Sequence, residues 1–258
     1  MLSNRIKRII AFLLDGVGVC RFGIWLQRRL YGGYVRAINY HAVAYDDGTN
    51  FEEQLKLFAG QFRSVSKTEL GALIDNGEIM PGRPGLIVSF DDGDASHFEV
   101  AAPLLEKYGF TGWFFVPSKE RGLTDEHLRE LAERHVIGSH TRTHCRLNEN
   151  VPIENMTEEI SGSKTDLENV IGREVDVFAW VGGEEGSYSR EAARLIHDNY
   201  RFSFMTNSAV ITIKTDPYHL QRTNIEADQP LWLVRFQISG LLDVFYYFKR
   251  RRVNRLTA

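Results

Sequence analysis

Leu86-Ile87-Val88-Ser89-Phe90-Asp91-Asp92-Gly93 is the stretch on which the fold turns. A short, almost unbroken apolar run suits a strand buried on both faces, as in a parallel sheet. Two carboxylates follow it directly. In parallel α/β barrels the chemistry gathers where strands end at their carboxyl side. Neighbouring side chains of an extended chain diverge, but at a bend they can converge, and Gly93 lets the chain bend there. Asp46-Asp47-Gly48 serves as a control. It has no apolar run before it and reads as a solvated turn.

The same pattern recurs on either side. Val35 to Tyr40 reads as a first strand ending at His41, and Phe51, Leu55, Phe58 and Phe62 mark a helix. Glu69 to Asn76 reads as a short helix. A helix through Val100, Leu104 and Leu105 ends at Gly109, and Thr111 to Val116 is an aromatic strand. Asp125 to His135, Glu154 to Ile171 and Arg190 to Asn199 read as helices. They alternate with strands at Val136 to Gly138, Val175 to Trp180 and Phe202 to Thr206. Strands alternating with helices imply a parallel sheet with right-handed crossovers. At 258 residues, with 43% hydrophobic and 25% charged, the chain is an ordinary globular one, long enough for a single large α/β domain.

A second motif follows: Ile137-Gly138-Ser139-His140-Thr141-Arg142-Thr143-His144. Histidines at i and i+4 share a face if the segment is one helical turn. Two imidazoles and one carboxylate suit zinc and leave a position open for water. One carboxylate then remains to take a proton. A bound divalent ion lowers the pKa of water from ~15.7 towards ~7, and an Asp near ~3.9 stays ionised to accept. Cys20 and Cys145 make no disulfide framework or zinc ribbon, and Cys145 beside His144 reads as a packing residue.

On these motifs the chain resembles the NodB-homology polysaccharide deacetylases, carbohydrate esterase family four. Ser89-Phe90-Asp91-Asp92-Gly93 is similar to that family's Thr-Phe-Asp-Asp-Gly. His140-Thr141-Arg142-Thr143-His144 with Leu147 resembles its His-Ser/Thr-x-x-His motif. Tyr40-His41-Ala42-Val43 looks like a Tyr-His-x-Val found in many bacterial members, and the likeness runs over roughly residues 38 to 225. The resemblance implies a distorted (β/α) barrel with fewer than eight regular units. It implies that Asp92, His140 and His144 hold one metal ion, usually zinc, and that Asp91 is the general base. The implied reaction removes an N-acetyl group from an amino sugar.

Two later motifs depart from the family. Phe178-Ala179-Trp180-Val181-Gly182-Gly183 puts Trp180 where tyrosine is usual and Ala179 where an arginine would orient the base. Gly182 is the expected oxyanion donor through its backbone N–H, or else part of a plain Gly-Gly loop. The late histidine that would act as acid has no clear counterpart. His219 and His41 are the candidates, each open to a structural reading, and Arg222 is expected to pair with Asp91. His97, His127, His135 and His197 read as surface or packing residues. Lost catalysis on a glycan-binding scaffold is one alternative. A deformylase or an O-acetyl esterase is another.

The net charge of −3 hides basic ends. Arg5, Lys7, Arg8, Arg21, Arg28 and Arg29 face Asp15 alone, and Lys249 to Arg252 with Arg255 follow Asp243. Both ends are also apolar. We therefore expect an amphipathic helix over residues 1–34, a deacetylase-like domain over 35–228 and a basic, aromatic helix over 229–258. The end segments pack on the barrel or on an anionic membrane surface. Trp232, Phe236 and Phe245 either close the barrel or meet lipid. Asp15 interrupts the first apolar run and no small-residue cleavage site follows, so the expectation is a cytoplasmic protein, peripheral at the inner membrane face. The expected partner is an N-acetylated glycan or lipid-linked sugar, not nucleic acid. The oligomeric state is open.

Overall fold

The computed structural model describes residues 4–78 and 82–258. Among the described residues, nine strands form one sheet: β1 Val35–Tyr40, β2 Arg63–Ser64, β3 Gly85–Phe90, β4 Gly112–Val116, β5 Val136–Ser139, β6 Val177–Ala179, β7 Phe202–Met205, β8 Val210–Ile211 and β9 Leu220–Asn224. The order β3-β4-β5-β6-β7-β9-β1 returns to β3, since β1 pairs with both β9 and β3. All seven of these pairings are parallel, so the sheet closes into a seven-stranded barrel. β2 adds in parallel to the outer edge of β3, and β8 adds antiparallel to β1.

Side-chain alternation along the strands sorts the residues into two cores. Inside, Val35, Ala37, Ile87, Trp113, Phe115, Phe202 and Phe204 pack together with Leu70 and Leu73 of the helix Lys67–Asp75. That helix, started by a Ser66/Glu69 capping box, closes the amino end of the barrel. The Trp113 indole donates to the Val65 carbonyl at 3.1 Å. Outside, Tyr40, Phe90 and Phe114 stack beneath Phe51, Leu55 and Phe58 of the helix Gly48–Gln61. Each fully buried large apolar side chain contributes about 1.5–3 kcal/mol. Towards the carboxyl ends the inward positions turn polar, at Asn39, Ser89 and Asp91.

The terminal segments differ in detail from expectation. The N-terminal helix is two, Asn4–Gly16 and Val19–Tyr31, bent by 75° across Gly16 to Gly18. Residues 1–3 of that expected segment lie outside the described residues. The C-terminal helix is three: Leu231–Ile238, Leu241–Phe245 and Tyr247–Leu256. Gly240, at φ 86, breaks the first from the second. Among the described residues, no single helix is long and apolar enough to cross a membrane.

Candidate metal centre

Backbone conformations that most residues avoid assemble the site. Asp92 has φ 75 and His144 φ 57, both in the left-handed region, as does Thr141 at φ 66. Such positions cost of order 1–3 kcal/mol and persist only where the surroundings hold them. After Asp92, Gly93 at φ 66 lets the chain turn, and a Cβ there would lie 2.8 Å from Val116 Cγ1. The histidine segment is not the helical turn its i, i+4 spacing suggested. It is an irregular loop, and the left-handed Thr141 and His144 bring the rings together, their centroids 5.2 Å apart. Glu159 accepts the Arg142 and Thr143 amides at 2.9 Å each, and Ser163 donates to the Thr141 carbonyl at 2.8 Å, which fixes the loop.

One oxygen of Asp92 lies 3.5 Å from His140 Nε2 and 3.0 Å from His144 Nε2. The three ligand atoms all fall within 4.8 Å of one another. A tetrahedral ion with ligands at about 2.1 Å separates them by about 3.4 Å, so the donor set fits a divalent ion. His140 Nδ1 donates to the Ala179 carbonyl at 2.8 Å, which leaves Nε2 as the free acceptor facing the site. Burial pushes the Asp92 carboxyl up, but the two imidazoles outweigh it and hold it far below the ordinary carboxylate range.

Asp91 stands beside this cluster and is buried. Arg222 grips both its oxygens, Nη1 to Oδ1 at 2.7 Å and Nη2 to Oδ2 at 2.8 Å. Asn39 Nδ2 donates to Oδ2 at 2.9 Å. Burial raises the Asp91 pKa, but Arg222 first and His140 next bring it below the usual range. Arg222 on β9 thus holds Asp91 from a different strand than the arginine absent at Ala179. Sequence reasoning missed Asn39, although a polar residue at an inward strand position, two after Ala37, is a signal. It also missed β9 itself, which has no apolar run.

The sites of the other candidates divide. A cleft of about 310 Å³ is lined by Asp91, Asp92, His140, His144, His41 and Gly182, among others. His41 Nδ1 sits 3.0 Å from Glu226, whose hydrogen bond raises the imidazole pKa above its ordinary value despite partial burial. Glu226 carried no sequence signal. Gly182, at φ 85, borders the cleft, and a Cβ there would meet Ser187 Oγ at 2.7 Å. Trp180 is a core residue with only an edge on the cleft. Its indole donates to Ser203 Oγ at 2.9 Å and its ring packs on Tyr188. His219 does not line the cleft. It bonds Thr257 Oγ1 at 2.8 Å and faces Asp216 at 3.2 Å in a separate small cavity, tying down the C-terminal tail. His97 is fully buried, and its Nε2 holds the His41 carbonyl.

Residues 80–199 match the family model described as polysaccharide deacetylase. Over those 120 of its 258 residues the chain is similar to that family. It is 24% identical over 181 residues to YxkH of Bacillus subtilis (strain 168), covering 68% of this chain; the chain spans 63% of the length of that curated relative. Among solved structures it resembles the Streptococcus pyogenes deacetylase PplD in complex with acetate, with TM-score 0.68, 21% identity, and 79% and 98% of the two chains covered. It also resembles IcaB from Ammonifex degensii, with TM-score 0.65, 18% identity and coverage of 82% and 98%. These likenesses establish the barrel as the fold of that family.

Proposed function

We propose that this protein is a metal-dependent hydrolase that removes an N-acetyl group from an amino sugar of a polysaccharide or lipid-linked glycan. The observation that carries this reading is the convergence of Asp92, His140 and His144 beside Asp91, which follows β3 directly and which Arg222 keeps ionised. By donor chemistry, Asp92, His140 and His144 would hold one divalent ion, zinc first, which when bound acidifies water and polarises the acyl carbonyl.

The chain's own residues then divide the remaining work. Asp91 accepts the proton of the attacking water, since Arg222 and Asn39 orient both its oxygens and hold it unprotonated. The leaving amine needs a proton. His41, backed by Glu226 and bordering the same cleft, is the acid that supplies it. The Gly182 amide is the candidate donor to the oxyanion. His219 takes no part. The pairing of Arg222 with Asp91 also removes the main support for a scaffold that has lost catalysis, namely the arginine absent at Ala179.

The test is product analysis by mass spectrometry on N-acetylated, N-formylated and O-acetylated sugars. Free amine from the N-acetyl sugar is the expected result. Release only from the other two would make it a deformylase or an esterase. Asp91→Asn should retain metal while turnover falls by about 10²–10⁴-fold. Unchanged turnover would reject Asp91 as the base.

A further inference from the structure

We propose that the two N-terminal helices and the C-terminal helices form a face that seats on an anionic lipid bilayer, so that the cleft acts on an amino sugar carried by that membrane. The second half rests on the deacetylase reading. On the helix Asn4–Gly16 and just beyond it, Ile9, Phe12, Leu13 and Val17 recur at helical spacing, yet all are exposed. The opposite stripe of that helix, Ala11 and Asp15, is the buried one. The helix Val19–Tyr31 repeats the arrangement. Phe22 and Trp25 stack at 5.4 Å and are each more than half exposed, while Cys20, Ile24 and Gln27 are buried. An apolar stripe turned outward on two successive helices lacks the partner that such stripes ordinarily have.

Charge selects the occupant. The carboxylates of these segments are already committed inward, Asp15 to Arg235 and Asp243 to Arg36. What faces outward among the apolar side chains is basic, with Arg21, Arg29, Arg251 and Arg255 exposed. Basic residues interleaved with aromatic ones fit the interface of an anionic bilayer. The 75° bend and the arginines within the second helix suit lying in the interface rather than crossing it.

The same face adjoins the chemistry. A groove of about 470 Å³ runs between the helix Val19–Tyr31 and the C-terminal helices, with Leu26, Leu30, Val244 and Phe248 among its walls. Tyr246, two residues after Val244, and Lys249, next to Phe248, line the metal-site cleft instead. One short segment thus walls both the apolar groove and the catalytic cleft, which places the cleft at the edge of the proposed lipid contact.

The experiment is flotation of the full chain with phosphatidylcholine vesicles, with and without phosphatidylglycerol. Binding to the anionic vesicles, released by salt or alkaline carbonate, is expected. The Phe22→Glu/Trp25→Glu variant should lose at least about tenfold in binding while keeping its circular dichroism and its rate on a soluble N-acetylglucosamine oligomer. No flotation with an active enzyme overturns the docking and leaves the deacetylase reading intact. Flotation without activity on any acylated sugar does the reverse. Resistance to carbonate, or a dimer lost in the variant with no flotation, also overturns the surface seat. N-acetylglucosamine coupled to a lipid in the same vesicles should be turned over at least about tenfold faster by the full chain than by the variant. Equal rates would overturn the membrane-borne substrate.

Discussion

Two arginines on neighbouring strands, Arg222 of β9 and Arg36 of β1, are both fully buried, and each grips an aspartate with two nitrogens. Arg222 points inward. It sits 5.0 Å from the Phe115 ring centroid and holds Asp91 at the cleft. Arg36 points outward. It holds Asp243 of the helix Leu241–Phe245 at 2.8 Å and also reaches Gln27 of the helix Val19–Tyr31. Strand alternation alone decides which task each performs. The same kind of buried ion pair faces the metal-site cleft on one side of the barrel wall and ties down the terminal helices on the other.

If that contrast holds, removing either cation should cost similar stability and very different activity. Arg222→Met leaves the Asp91 carboxylate buried without its partner. We expect a loss of about 3–5 kcal/mol in denaturant unfolding and a fall in kcat of about 10²-fold or more. Arg36→Met should approach the same stability loss, towards its lower end because Asp243 is partly exposed. Its kcat per folded molecule on a soluble sugar should stay unchanged, and hydrogen exchange should quicken in the terminal helices. A large kcat loss in Arg36→Met would break the comparison. The double variant Arg36→Met/Asp243→Asn sharpens it. No lone charge remains there, so most of the lost stability should return.

A third pair, His41 with Glu226, supplies the small effect. Both side chains are nearly half exposed, so breaking it should change stability by at most about 1 kcal/mol. Its signature is in pH. Glu226 raises the His41 pKa, and an acid must be protonated to donate, so activity should fall as pH rises through a value above the ordinary histidine range. Glu226→Gln removes the principal cause, and this alkaline limb should move to lower pH. An unmoved limb would exclude His41 as the acid.

Much of this was legible in the chain because one signal is local. The strand at Leu86 to Phe90 and the pairs Asp91-Asp92 and His140/His144 are contiguous patterns, and their placement followed from where barrel strands end. Arg222 was named on motif likeness, but the strand carrying it was not foreseen. Leu220-Gln221-Arg222-Thr223-Asn224 is strongly polar, since its inward side faces a charged site and its outward side meets Arg36 through Thr223. Asn39, Tyr246 and Lys249 line the cleft from distant segments, Glu226 bears on it through His41, and only the closed barrel brings them together. The i, i+4 histidines misled about local shape. Two left-handed residues achieve what a helical turn would have done.

The central claim is that Asp92, His140 and His144 share one cation while Asp91 stays off it. Anomalous scattering at the zinc edge, from crystals of zinc-loaded protein, tests this most directly. The account predicts a single peak about 2.0–2.2 Å from Asp92 Oδ1 and from Nε2 of both histidines, with Asp91 still bound to Arg222. A peak coordinated by Asp91, or none in this cleft after loading, would contradict it.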